Sequence, residues 1–570
     1  MVEIKHTNQQ IASMLRNVAA SYQLQDQNKY RFQIISYNNA ADSIEHATSE
    51  LKDLWDDGKL SDIAGIGPSL ESHLDELFKS GKSKHFEKIM KGIDPRVFIL
   101  MELPKIGIKT AVKLIKESSR GEIDKLIEEA ERKQIKNKRH LLPYAQTIAS
   151  EIIEWLETSS DVAKIDVLGS LRRKVATIGD IDMLVSTNNP SSVMDKFISY
   201  PKVQKVIEKG EHTASIIVPG GVQVDLLVSD ENSYGSALQH FTGSKNHNIA
   251  LREYSLKKNL SLSEYGIKDK KTNKLNTFKT EEDFYNHLGL AYIEPELRED
   301  SGEIIAAQKR ALPELITLKD VKADLQIHSN FDIETSHDLG VSTMSEIVKS
   351  AINLNYEYIA FSEHNPSRGK HSQKEIVEIL KKKKKEVDVI NYSREKFKNN
   401  RVYKVFNSLE IDILQDGSLP VPDAGMDTLD FALVSIHSSF DQPKDVMTER
   451  VVKALSHPKV KVFAHPTARK INEREGIELD WEKIFEFCVK NNKWLEIDAD
   501  PMRLDLPDIL VREAVKRGIK LTLGTDAHHV DHLRNMEFGV NIARRGWCEK
   551  KNMINCMGLI EFEKELKRGD

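Results

Sequence analysis

The chain has 570 residues, 83 Lys or Arg against 88 Asp or Glu for a net charge of −5, and 3 cysteines. This length calls for about three or four domains, each with its own core. So few cysteines exclude a disulfide scaffold, and with no apolar run of spanning length and no signal-like start the expectation is a soluble, cytoplasmic, monomeric protein without a membrane partner. The negative balance means that nucleic acid, if bound, must be held by local patches or neutral backbone donors.

Residues 1–155 have amphipathic, helical spacing broken by glycine turns, and divide into expected domains 1–90 and 91–155. Two turns resemble each other: Ile63-Ala64-Gly65-Ile66-Gly67-Pro68-Ser69-Leu70 and Leu103-Pro104-Lys105-Ile106-Gly107-Ile108-Lys109-Thr110-Ala111. They resemble helix-hairpin-helix elements, in which glycine lets backbone N–H groups approach a DNA phosphate. A single such turn is more often a helix C-cap, but two carry more weight. Gly65, Gly67, Gly107 and Lys109 are the candidate DNA contacts. Residues 101–139 add a basic stretch, with eleven Lys or Arg against seven Asp or Glu.

Residues 156–295 alternate short strands and helices, which predicts an α+β body. The strand-like run Val162 to Leu168 leads into Gly169-Ser170-Leu171-Arg172-Arg173, a turn suited to an anion, with Ser170 and Arg173 placed for triphosphate oxygens. Gly179-Asp180-Ile181-Asp182 follows, and a period of two puts both carboxylates on one strand face. Asp225, in the alternating segment Val222 to Val228, supplies a third carboxylate, on a strand expected beside the first one. Alone, a D-x-D is usually a surface turn. With the Gly-Ser turn before it and Asp225 after it, the set predicts a two-cation site for in-line nucleotidyl transfer.

Residues 296–320 read as a charged linker. From 321 to 570, strand-like runs such as Tyr358-Ile359-Ala360-Phe361, Phe431 to Ile436, Lys461 to Ala464 and Lys520 to Leu523 alternate with helices, predicting a parallel α/β barrel. Five histidines follow such runs: His328, His364, His437, His465 and His528. Glu410 and Asp526 join them. In a parallel barrel the strand ends converge on one face, so the seven could hold Zn²⁺ or Mn²⁺ and activate water against a phosphodiester. One such histidine usually has only a local hydrogen bond; five at equivalent places point to a cluster. The Lys381 to Lys385 run is expected to be a solvated helix face.

Together these features resemble bacterial family X DNA polymerases fused to a C-terminal PHP (polymerase and histidinol phosphatase) domain, over essentially the whole chain. Phe241-Thr242-Gly243-Ser244-Lys245-Asn246-His247-Asn248 with Arg252 resembles the family's nucleotide pocket. The resemblance implies that Phe241 and Gly243 line the sugar, that Asn248 meets the incoming nucleotide's minor-groove edge, and that Arg252 contacts the template side. It implies nucleotide binding also by Gly169, Ser170, Arg173 and Gly179, and Mg²⁺ held by Asp180, Asp182 and Asp225. Asp225 would also help activate the primer 3′-hydroxyl. The expected architecture is a helical hairpin region, an α+β palm and thumb, and a PHP barrel. The expected partners are gapped or primer-template DNA and deoxynucleoside triphosphates, and the expected activities are gap-filling synthesis in repair and Mn²⁺-dependent 3′–5′ degradation.

The chain also departs from the family. His73 stands where a lyase lysine is found, and imidazole cannot form an imine. His240 replaces a tyrosine that often precedes the Phe. The PHP pair His-x-His reads Gln326-Ile327-His328, which implies a neutral, weaker ligand at Gln326. Glu363 stands where Asp is commoner, and the next acidic ligand is either Asp332 or Asp338. The rival readings are a nucleotidyltransferase acting on tRNA or a small molecule, and a DNA-binding scaffold with a vestigial C-terminal site.

Overall fold

The computed structural model describes residues 8–45, most of 51–127, 139–395 and 404–568. Much of the basic 101–139 stretch, with Pro104 and Lys105, lies outside the described residues. The chain forms two compact units, Met1–Leu171 with Thr177–Leu238, and Arg172–Ala176 with Gln239–Asp570. The division therefore falls at Leu238, inside the 156–295 stretch that the sequence reads as one body.

In the first unit, Asn8–Asp26 and Arg31–Glu45 pack through Ile11, Leu15, Val18, Ala40 and Ala41. Pro68–Ser80 adds Leu70, Leu74 and Leu77, a helical spacing that buries one face. A second small core joins Val97, Leu100, Leu103, Ile108 and Ala111. Beyond it lies a five-stranded sheet ordered Lys164–Val167, Ile181–Ser186, Val222–Ser229, Thr213–Val218, Lys205–Lys209. Val222–Ser229 pairs parallel to Ile181–Ser186 and antiparallel to Thr213–Val218, so it lies beside the second strand and not the first as expected. The strand Lys164–Val167 instead takes the sheet edge, pairing antiparallel with Ile181–Ser186. Helix Leu142–Glu157 buries Ala145, Ala149, Ile152 and Leu156. Val222, Val224 and Leu226 are buried on their strand, and alternation turns Gln223 and Asp225 to the other face.

In the second unit, helix Lys245–Leu256 and the hairpin strands Leu260–Ser263 and Gly266–Asp269 share a core of Leu251, Ile267, Phe284, Tyr285 and Leu297. Trp547, from near the C-terminus, is part of that core. The expected linker is folded: Pro295–Leu297, Glu303–Gln308 and Leu318–Asp320 are short helical turns, and Arg298, Glu303 and Ile316 are fully buried. Its charges mislead because they are paired inside, Arg298 with Glu281 and Glu303 with His247.

Eight parallel strands follow, in two sheets. Ala323–Ile327, Tyr358–Phe361 and Lys404–Asn407 form one; Glu410–Asp412, Ala432–Ser435, Val460–Phe463, Trp494–Asp498 and Leu521–Gly524 form the other. No closed barrel is seen among the described residues. Among the described residues the two sheets are joined by the isolated parallel bridges Ile327–Ala527 and His364–Glu410. Strands of three to five residues are too short to sustain a full ladder, and only Ser408 and Leu409 separate the strand that leaves one sheet from the one that enters the other. Ala323, Leu325, Tyr358, Ala360, Phe406 and Leu433 pack on one side with Phe562.

Helix Gln373–Glu395 corrects a further expectation. Lys381, Lys382, Lys384 and Lys385 are exposed, but Lys383 is fully buried, its Nζ 2.7 Å from Glu363 Oε2 and 2.9 Å from Phe361 O. Burial pushes the Lys383 pKa down while Glu363 opposes this. Glu363 also accepts from Ser329 Oγ at 2.6 Å, so it braces the strand end instead of facing a cation.

Candidate functional site

The sheet of the first unit brings Asp180, Asp182 and Asp225 together. Asp182 and Asp225 are register partners on adjacent parallel strands, and Asp180 precedes its strand by one residue. One oxygen from each lies within 4.8 Å of the others. Gln223 Nε2 donates to both Asp225 oxygens, at 3.1 and 3.0 Å, which fixes that carboxylate's plane. Three carboxylates so close repel one another, and hard divalent cations relieve the repulsion. Gly169 makes room for the group. It has φ +55°, and a Cβ there would come within 2.7 Å of Asp182 Oδ2. Ser170 is half-buried in the short helix that Gly169 opens, and Gly179 sits beside Arg139.

The residues expected to line a nucleotide pocket are, in the second unit, held by a polar network. Arg173 donates from Nε to Glu299 at 3.0 Å and from Nη1 to Thr242 O at 2.5 Å. Gly243, at φ +69°, leaves only 3.2 Å between a would-be Cβ and Arg173 Nη1. Asn248 donates to His240 O at 2.7 Å and accepts from Gln239 at 2.9 Å, so its amide is oriented in advance. Phe241 is half-buried and Arg252 exposed. Beneath them, Arg172 and Arg298 share Glu281; burial raises the Glu281 pKa, but the two guanidinium groups bring it down to about 2. Sequence reasoning missed Glu281 and Arg298, since nothing in their spacing links them to residue 172.

The two glycine turns of the first unit match bond for bond. Ile66 N donates to Ile63 O and Ile106 N to Leu103 O; Glu71 N donates to Gly67 O and Ala111 N to Gly107 O. Gly67 (φ −86°, ψ 171°) and Gly107 (φ −82°, ψ 169°) are the N-caps of helices Pro68–Ser80 and Ile108–Glu117, and a Cβ at either would meet nothing within 4 Å. Both helix starts are thus open to an anion. Lys109 is exposed in the first turn of the second helix. Gly65 differs, because a Cβ there would crowd Ala40 N at 3.1 Å; it is a packing glycine. His73 is stacked on His85 with ring centroids 4.2 Å apart and planes 4° apart. Burial lowers its pKa, so it is a neutral imidazole with no amine chemistry.

The C-terminal histidines converge on Glu410. Its Oε1 lies 2.8 Å from His465 Nε2 and 3.3 Å from His437 Nε2, and its Oε2 lies 3.3 Å from His328 Nε2 and 3.4 Å from His364 Nδ1. Asp526 Oδ1 is 3.0 Å from His328 Nε2, and the His528 ring stacks on His328 at 4.3 Å. Burial opposes charge on His328 and His437, yet the adjoining carboxylates raise their pKa values to about 10 and about 9. Burial instead drives His364 well below its ordinary value. His364 Nδ1, His528 Nε2 and Gln326 Oε1 are buried without a hydrogen-bond partner, and the donor set of imidazoles and carboxylates fits divalent cations.

Of the two acidic alternatives, Asp338 approaches His528 at 3.6 Å and His364 at 3.9 Å, while Asp332 accepts from Glu334 N within its own turn. Gln326 is placed differently from a simple ligand: its Nε2 donates to Glu410 Oε2 at 3.1 Å and Asp526 Oδ1 at 3.5 Å. Sequence reasoning passed over three further groups. Asp412, two residues after Glu410, binds His437 Nδ1 at 2.8 Å; the strand period could have revealed it. His337 binds Asp412 at 2.9 Å. Arg503 is half-buried between Asp498 and Asp526, with no sequence signal for its placement.

Residues 237–299 match the family described as DNA polymerase beta thumb, and residues 6–83 match the helix-hairpin-helix domain family. The chain is 32% identical over 585 residues to the DNA polymerase/3′-5′ exonuclease PolX of Bacillus subtilis (strain 168), covering 98% of this chain and 99% of that protein. It is 23% identical over 276 residues to DNA polymerase lambda of Rattus norvegicus, 42% of this chain and 48% of that one. A probable phosphatase of Thermoanaerobacter sp. (strain X514) is 22% identical over 177 residues, 29% of this chain and 70% of that protein. Full-length similarity at this level, with a carboxylate triad on adjacent strands and paired hairpins ahead of it, means that this chain belongs to the bacterial PolX group of family X DNA polymerases.

Proposed function

We propose that the chain is a template-directed DNA polymerase that fills short gaps during repair, and that residues 321–570 form a PHP-type phosphoesterase that degrades DNA from the 3′ end. The observation that carries the first part is the register pairing of Asp182 with Asp225, with Asp180 alongside. Two Mg²⁺ ions held there would lower the pKa of the primer 3′-hydroxyl and neutralise the leaving pyrophosphate. The hydroxyl gives up its proton to the Asp225 carboxylate, its oxygen attacks the α-phosphorus, the bond to the bridging oxygen breaks, and pyrophosphate leaves. Asp225, locked by Gln223, sets the direction from which that hydroxyl is approached. Arg173, with Nε and Nη1 already committed, keeps Nη2 for a triphosphate oxygen. Asn248 retains one amide hydrogen and one lone pair beyond its two protein bonds, which suits a minor-groove base edge. The hairpins hold DNA through backbone N–H groups at Gly67 and Gly107, which carry no sequence preference.

The second part rests on the histidine and carboxylate cluster around Glu410. Mn²⁺ or Zn²⁺ bound there would supply an activated water for phosphodiester hydrolysis. Glu410 positions four imidazoles at once, and the Arg503 guanidinium faces Asp498 and Asp526.

The test of this reading is a one-nucleotide gapped duplex with a 5′-phosphate against an open primer-template. With two hairpins gripping the DNA, extension of the gap is expected to be at least about tenfold more efficient, with binding that weakens steeply as salt rises. Equal efficiency on both substrates would remove the gap-filling assignment. Gly169→Ala gives a second check. Its methyl group would displace Asp182, and a shift of about 1 Å at a catalytic group costs on the order of a hundredfold. Single-turnover incorporation at wild-type rate in Gly169→Ala would contradict the assigned role of that glycine.

A further inference from the structure

We propose that Arg545, more than 200 residues beyond the nucleotide-pocket segment, is a positioning residue of the polymerase reaction: it holds Arg173 in place for the incoming triphosphate and keeps that guanidinium available to it. This rests on the reading of Arg173 as a triphosphate ligand.

Arg173 lies in the short segment Arg172–Ala176, which belongs to the same compact unit as Gln239–Asp570, although its chain neighbours Leu171 and Thr177 do not. Arg545 ends the helix Met536–Arg545, and its side chain is only 7% exposed. It spans three partners. Its Nη1 donates to Arg173 O at 2.8 Å and to Glu299 Oε1 at 3.0 Å, while its Nε donates to Asp508 Oδ2 at 2.8 Å and its Nη2 lies 2.6 Å from the same oxygen. Arg173 Nε donates to that same Glu299 oxygen at 3.0 Å. One carboxylate thus sits between two guanidinium groups, and Arg545 holds Arg173 twice, by its backbone and, through Glu299, by its side chain. The backbone hold matters because Lys174, the next residue, has φ +55°, a left-handed conformation that a residue with a long side chain keeps only where its surroundings impose it.

Charge gives a second reason. Asp508 offsets the charge of Arg545, so Arg545 can share Glu299 without adding net charge beside Arg173. Without Arg545, Glu299 would turn wholly to Arg173, in a two-pronged pair that takes up the guanidinium edge a triphosphate oxygen needs. The ordinary alternative is a brace that only fastens the helix Met536–Arg545 to the helix Asp508–Lys516, as Arg544 fastens it to Glu296 at 2.7 Å. Such a brace would affect the melting temperature and leave the affinity for nucleotide unchanged.

The experiment measures single-nucleotide incorporation by the full chain on a one-nucleotide gapped duplex, separating KM for the nucleotide from kcat, with thermal melting as the folding control. Arg545→Ala is expected to raise KM about tenfold, as loss of a charge-assisted contact would, with kcat within about threefold of wild type. Arg545→Lys keeps the charge but cannot span Asp508, Glu299 and Arg173 O together, and is expected to raise KM about threefold. In an Arg173→Ala background, Arg545→Ala is expected to change kcat/KM little further, because it acts through Arg173. If Arg173→Ala itself leaves KM at the wild-type value, the triphosphate reading falls and the proposal with it. If Arg173→Ala raises KM while folded Arg545→Ala does not, or if the two effects add in full, the proposal is overturned and the triphosphate reading stands. If Arg545→Ala does not fold, Arg545→Lys decides, and a wild-type KM in that variant overturns the proposal.

Discussion

Asp225→Ala is expected to abolish nucleotide addition, by roughly a thousandfold or more, equivalent to about 4 kcal/mol of transition-state stabilisation. Asp225 is the register partner of Asp182, and together with Asp180 it forms the only all-carboxylate group among the metal-competent sets of the described residues. Without it the cations lose the ligand that is hydrogen-bonded into a fixed plane by Gln223. DNA binding should be largely retained, because on the proposed reading phosphate is held by backbone donors far along the sequence, at the helix N-caps Gly67 and Gly107. The melting temperature should hold or rise, since one of three mutually repelling carboxylates is removed. Gel-shift binding, thermal melting and incorporation on a gapped duplex separate these outcomes. Undiminished incorporation by Asp225→Ala would end the triad assignment, and lost binding together with lost melting would mean only that the variant misfolds.

Glu410→Gln is expected to cut 3′–5′ degradation by at least about a hundredfold while leaving gap filling intact. Glu410 has imidazoles of His328, His364, His437 and His465 within 3.4 Å of its two oxygens. The amide keeps the shape and removes the charge that draws both imidazolium groups and cations. Alanine would be less informative, because it leaves several buried imidazoles uncompensated and would cost stability on the order of 3–5 kcal/mol. The polymerase triad comes from other strands, so incorporation serves as the internal control. Degradation at the wild-type rate in Glu410→Gln would show that the cluster is not the hydrolytic centre.

The buried Lys383–Glu363 pair shows how local reading can fail. Five consecutive lysines look like a solvated face, and four of them are exposed. The fifth is turned inward by the helical period and meets a carboxylate 20 residues earlier, which also holds Ser329 at the strand end carrying His328. A charge run thus contains a bracing residue for the histidine cluster, and only the third dimension distinguishes it from its neighbours.

Much of the catalytic chemistry was written in short spacings. The Gly169 to Asp182 segment, the paired glycine turns and the histidines after strand-like runs are local patterns, and backbone geometry turns each directly into a placement: period two aligns side chains, a positive-φ glycine opens a turn, and a helix start exposes N–H groups. The tertiary structure alone decided the pairing of strands, which put Asp225 next to Asp182 and left Lys164–Val167 at the edge. It also decided the split into two parallel sheets in place of a closed barrel, the burial of the apparent linker, and the partners of Gln326, Asp412 and His337. These depend on contacts between residues tens to hundreds of positions apart, whose free energy comes from burial and charge pairing in the assembled core and leaves no periodic trace in the chain.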